Sequence, residues 1–184
     1  MSTICILNLS RPRIEPVPFS FAGDVLKIED PQLIPDQGAL ILYVVAHGVP
    51  DGFLTGDAQP PLIGERELFA AIRARRDEKS DTLIVWDLCF AKSFFSIPGL
   101  AWPKNYAHLF ACEAHERTWH TGPRTGGLAP QSVFSAQLER AILTCKQDHR
   151  LSWAGIDQTL KALLGPAQTP SVVPSGVPVL FFGA

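Results

Sequence analysis

Three stretches of this chain are apolar at nearly every position: ALILYVVAHG (39–48), DTLIVWDLC (81–89) and YAHLFAC (106–112). Without alternation, and rich in β-branched and aromatic residues, they read as strands covered on both faces. TICILNL (3–9) is a further buried strand, bounded by the Pro-broken RPRIEPVPFS (11–20). DVLKIE (24–29) alternates weakly and suits a short edge strand, while VPVLFFG (177–183) reads as a closing strand. VPDGFLTGD (49–57) is turn chemistry throughout.

Helical periodicity fills the intervals. ERELFAAIRARRD (65–77) sets Leu68, Phe69 and Ile72 on one side and charges on the other. QSVFSAQLERAILTCK (131–146) spaces Phe134, Leu138, Ala141, Ile142 and Cys145 as a helix. SWAGIDQTLKALLG (152–165) repeats the pattern with Trp153, Ile156, Leu160 and Leu164, and Gly165-Pro166 stop it. Strands alternating with helices predict an α/β domain with a mostly parallel central sheet flanked by helices. One domain is expected over 1–184, with 1–38 as an irregular N-terminal part of it.

Composition changes this picture little. The 184 residues are 46% hydrophobic and 18% charged, as in ordinary globular proteins. A net charge of −2, without a basic stripe, argues against nucleic acid as a partner. No secretory signal or spanning apolar run is visible, so neither a membrane nor export is expected. Cys5, Cys89, Cys112 and Cys145 are irregularly spaced, which suits free thiols in a cytoplasmic setting.

In parallel sheets, ligands sit outside the carboxyl ends of the strands. Those ends carry His47-Gly48, Asp87-Leu88-Cys89 and Cys112-Glu113. A thiol needs a base to become a nucleophile at neutral pH, and His47 can supply it if the strands ending at 47 and 88 are neighbours. The backbone N–H groups of Gly48 and Cys89 could then hold a developing oxyanion. Cys112, His115 and His120 (CEAHERTWH, 112–120) could ligate zinc, but no fourth ligand is evident and the spacing matches no common finger. No metal or cofactor is expected, and that stretch reads as a polar loop over the sheet edge, where it could contact substrate.

YVVAHG followed by LIVWDLC resembles the caspase-like cysteine peptidases, the caspases, metacaspases and bacterial orthocaspases, which present His-Gly after one strand and Cys after the next. SVFSAQLERAI (132–142), LSWAGIDQTL (151–160) and the Gln-x-Pro of QTPSVVPSGVPVLFF (168–182) extend the likeness in order along residues 39–184. The resemblance implies a caspase-like three-layer fold and a cysteine endopeptidase acting on a protein or peptide substrate. It implies His47 and Cys89 as the dyad, and Asp87, two before the cysteine, as the residue selecting Arg or Lys before the scissile bond. A regulatory protein partner is a further implication. Phe90-Ala91 stand where the family carries polar and small residues. The alternative is therefore an inactive homologue acting as a protein-interaction module.

Overall fold

The computed structural model describes residues 3–8, 13–16, 19–22, 25–28, 40–50, 52–54, 62–63, 65–74, 80–96, 102–121 and 131–174. Its centre is a six-stranded sheet. The strands are β1 (Thr3–Asn8), β2 (Arg13–Pro16), β5 (Leu40–Val45), β9 (Thr82–Asp87), β10 (Tyr106–Phe110) and β13 (Ser171–Val173), in the order β13-β10-β9-β5-β1-β2. The inner three, β5, β9 and β10, are mutually parallel, while β1 and β13 pair antiparallel on either side. Two smaller hairpins lie outside it: β3 (Phe19–Ala22) with β4 (Val25–Ile28), and β11 (His120–Thr121) with β12 (Gln131–Ser132).

The pleat sorts side chains to two faces. From β5, β9 and β10, Leu42, Val44, Ile84, Trp86 and Phe110 pack with Leu68 and Ile72 of α1 (Glu65–Arg73). The intervening positions Ile41, Leu83, Val85 and Leu109 pack with Phe134, Leu138, Ile156 and Leu160 of α2 (Val133–Gln147) and α3 (Trp153–Leu164). Helices on both faces of the sheet make three layers, the expected α/β class. Both faces being covered is also why these strands show no alternation. The helices start where the sequence places them, with Ser132 and Ser152 as N-caps accepting from Ser135 N–H and Gly155 N–H.

The N-terminal part departs from expectation. Residues 13–16 and 19–22 are strands rather than irregular chain. Pro16 is accommodated because it ends β2, an edge strand, where a missing N–H costs no ladder bond to a further neighbour. His47 also belongs elsewhere than read. β5 stops at Val45, and His47–Val49 form a new strand, β6, antiparallel to β7 (Gly52–Leu54), which pairs in turn with β8 (Leu62–Ile63). The closing strand at 177–183 lies outside the described residues. Among the described residues, no helix is long and apolar enough to cross a membrane.

Candidate active site

β5 and β9 are neighbours in parallel register, with Val45 opposite Asp87, so their carboxyl ends emerge side by side. Immediately beyond them the chains touch. A Cβ built on Gly48 would lie 1.8 Å from the carbonyl oxygen of Cys89 and 2.9 Å from Leu88 Cδ1. The glycine thus lets β6 lie directly against the backbone that carries the thiol. His47 is exposed and Cys89 half-buried. The two strand ends therefore bring His47-Gly48 and Cys89 to one place, although no hydrogen bond between His47 and Cys89 occurs among the described residues.

Backbone donors accompany them. In the β6–β7 pairing Gly48 lies opposite Phe53. The N–H of Cys89 has no backbone acceptor among the described residues. Directly after it, Phe90 adopts φ 57°, a left-handed conformation that a bulky residue rarely takes. That turn is held on both sides: Phe90 N–H donates to Glu116 O at 2.8 Å, and its carbonyl accepts from Ser93 N–H and Ser93 Oγ.

The segment after β10 crosses over the thiol. Thr118, 9% exposed, places Oγ1 3.6 Å from Cys89 Sγ. Glu116 fastens this crossing: its carboxylate accepts from Thr169 N–H (2.9 Å), Thr169 Oγ1 (2.8 Å) and Glu113 N–H (3.2 Å). Partial burial pushes the Glu116 carboxyl up, but those donors outweigh it and hold its pKa below the usual range. Gln168 secures the flanks, donating to Ala111 O at 2.8 Å and accepting from Trp119 N–H at 3.4 Å. The Gln-Thr-Pro segment is thereby a clamp on the loop above Cys89.

Cys112 is a different thiol. It is buried, and its S–H donates to Leu88 O and Glu116 O, both at 3.4 Å. Burial pushes its pKa up to about 11, which keeps it protonated and inert. His115 is exposed. No group of three or more candidate metal ligands occurs among the described residues.

Asp87 points the other way, toward α2. It is 1% exposed and accepts from Ser132 Oγ (2.7 Å), Ser135 Oγ (2.5 Å) and Tyr43 Oη (3.1 Å). Burial, followed by the Asp87 charge, pushes the Tyr43 phenol pKa far up, so Tyr43 remains a donor. Outside this network, a depression of about 280 Å³ is lined by Ser132, Ser135, Ala136 and Glu139. Two of Asp87's three donors therefore form part of its floor. Sequence reasoning singled out Asp87 but not its partners Tyr43, Ser132 and Ser135, which lie 44 to 48 residues away.

No protein-family model matches the chain, and no curated protein matches it. Among solved structures it is similar to protein GSU0716 from Geobacter sulfurreducens. That match has 15% identity and a TM-score of 0.46, and covers 80% of this chain and 69% of that one.

Proposed function

We propose that this protein is a cysteine endopeptidase, with Cys89 as nucleophile and His47 as its general base. The observation carrying this reading is the backbone contact of Gly48 with Cys89, which seats an exposed histidine strand beside a half-buried thiol. His47 takes the Cys89 proton, and the thiolate attacks the scissile carbonyl. The N–H groups of Gly48 and Cys89 hold the oxyanion. His47 then returns its proton to the leaving amine, and water hydrolyses the thioester. The carboxylate of Asp87, beneath the Ser132–Ser135 depression, directs cleavage after Arg or Lys.

One observation favours the second reading, an inactive homologue serving as an interaction module: among the described residues, no hydrogen bond joins His47 to Cys89. Catalytic hydrogen bonds are often long before substrate binds, and labelling of the thiol separates the two readings. A peptide-like thiol-reactive probe should label Cys89 in the wild type and fail to label His47→Ala. Labelling that is indifferent to His47 would leave the interaction module as the better account.

A further inference from the structure

A thiolate beside a sheet edge needs more than a base. Its negative charge must be held while the substrate arrives, and a hydrogen-bond donor aimed at sulfur does this. Among the described residues, the side chain within hydrogen-bonding reach of Cys89 Sγ is Thr118, at 3.6 Å. We propose that Thr118 is a further catalytic residue, its hydroxyl donating a hydrogen bond to the Cys89 thiolate. The proposal rests on Cys89 being the nucleophile.

Three features of Thr118 support this. Its side chain is 9% exposed, so its hydroxyl is largely withdrawn from competing water. Among the described residues, Cys89 Sγ is the one hydrogen-bond partner of Thr118 Oγ1. When the thiol loses its proton, sulfur can only accept, and the hydroxyl becomes the donor. Finally, the hydroxyl is held in advance. Two residues before it, Glu116 is fixed to Thr169 by its carboxylate and to Phe90 N–H by its carbonyl. One residue after it, Trp119 N–H donates to Gln168 Oε1 and Trp119 O accepts from Val133 N–H. Such a donor needs little rearrangement as charge develops on sulfur.

The experiment measures alkylation of Cys89 by iodoacetamide against pH, read at the Cys89 peptide by mass spectrometry. Among the described residues, the titratable and charged groups on the elements around Cys89 are His47 on β6, Asp87 at the end of β9, Lys92 after the Phe90 turn, and Cys112, Glu113, His115, Glu116 and Arg117 on the crossing segment, with Lys92 paired to Glu113 at 2.7 Å. All are unchanged in the variants. Thr118→Val removes the donor at nearly constant volume. It should raise the midpoint of the alkylation profile by about one pH unit, which is about tenfold slower alkylation at neutral pH. Thr118→Ser should keep the wild-type profile. If Thr118→Val does not fold, Thr118→Ala takes its place in the same comparison. A Val or Ala profile superimposed on the wild type overturns the proposal, as does a Ser profile shifted equally far. Alkylation requires no peptide substrate, so absence of peptidase activity counts against the enzyme reading and leaves this test standing.

Discussion

Gly48 and Cys89 meet backbone to backbone, with 1.8 Å between the carbonyl oxygen of Cys89 and the point a Cβ on Gly48 would occupy. Real Cβ atoms do not approach oxygen so closely, so alanine must push β6 away from the end of β9. Overpacking of this kind costs roughly 1–3 kcal/mol. Gly48→Ala is expected to lower Tm by several degrees and to abolish probe labelling of Cys89, since His47 moves with its neighbour. Thermal melts and labelling of the same sample check both, and a fully stable, fully labelled Gly48→Ala protein would contradict the contact.

His47 and Cys89 should separate chemistry from stability. Replacing either by alanine is expected to reduce peptidase activity by several orders of magnitude, as for members of a unit that acts together. Because His47 is exposed and Cys89 half-buried, His47→Ala should stay within about 0.5 kcal/mol of the wild type. Cys112→Ala should do the reverse, losing stability and keeping a reactive Cys89, because Cys112 is a buried, protonated thiol. Activity assays alongside denaturant titrations resolve the pattern. Probe adducts found on Cys112 would overturn the assignment.

The sheet was readable because its inner strands are covered on both sides: Leu40–Val45, Thr82–Asp87 and Tyr106–Phe110 follow the continuous apolar runs. Helices α2 and α3 were readable from their spacing, and Phe134, Leu138, Ile156 and Leu160 are all buried. β2 and β3 were hidden because their proline-rich surroundings read as breaks, while the edge position of β2 tolerates Pro16. β6 was hidden because the bend at Ala46 interrupts no apolar run. In the candidate site, His47 and Cys89 lie at one edge, as strand ends in a parallel sheet do. Thr118 lies 29 residues from Cys89 and reaches it by folding back over the sheet edge. Only the position of CEAHERTWH just after a strand pointed that way. No spacing rule connects Asp87 to its three hydroxyl donors either.

His108 gives the fold a pH dependence. It is 1% exposed, it accepts at Nδ1 from Trp86 Nε1 at 3.1 Å, and its ring packs against Trp86, Trp102 and Phe110. Burial disfavours the imidazolium and lowers its pKa to about 3. In the unfolded chain a histidine titrates near 6.5. Below about 6.5 the unfolded state therefore binds a proton that the folded state refuses, and stability falls as pH drops toward 3, by up to about 1.4 kcal/mol per unit. Glu116, whose pKa is lowered on folding, adds acid sensitivity only once pH enters the carboxylate range. The interval between about 4.5 and 6.5 belongs to the histidine. His108→Phe should be less stable throughout, because the Trp86 N–H loses its acceptor, yet nearly flat across that interval. Urea titrations at four pH values would show it, and an unchanged slope would assign the acid sensitivity elsewhere.

Asp87 carries the prediction about specificity. Its carboxylate is buried and already accepts from three hydroxyl donors, so it is not a bare ion waiting for a partner. A guanidinium or ammonium entering the depression meets Ser132, Ser135 and Glu139 first, and Asp87 through the serine hydroxyls. The discrimination expected is that of one charge-assisted hydrogen bond, about 1.5–3 kcal/mol, rather than that of a fully buried ion pair. Arg or Lys before the scissile bond should then be favoured over Ala by roughly ten- to a hundredfold in kcat/KM, and Asp should be rejected more strongly by like charge. Asp87→Ala should cost about 2–4 kcal/mol of stability, because the buried Ser132 hydroxyl and the partly buried Tyr43 and Ser135 hydroxyls lose their acceptor at once. It should also level the Arg-to-Ala ratio. Asp87→Asn separates the two effects: it keeps one acceptor oxygen, enough for Ser132 or for the Tyr43 and Ser135 pair, while removing the charge. If the carboxylate selects substrate, Asp87→Asn loses the preference with a smaller drop in Tm. A preference that survives in both variants would mean that Asp87 serves only to moor the N-terminus of α2 to the end of β9.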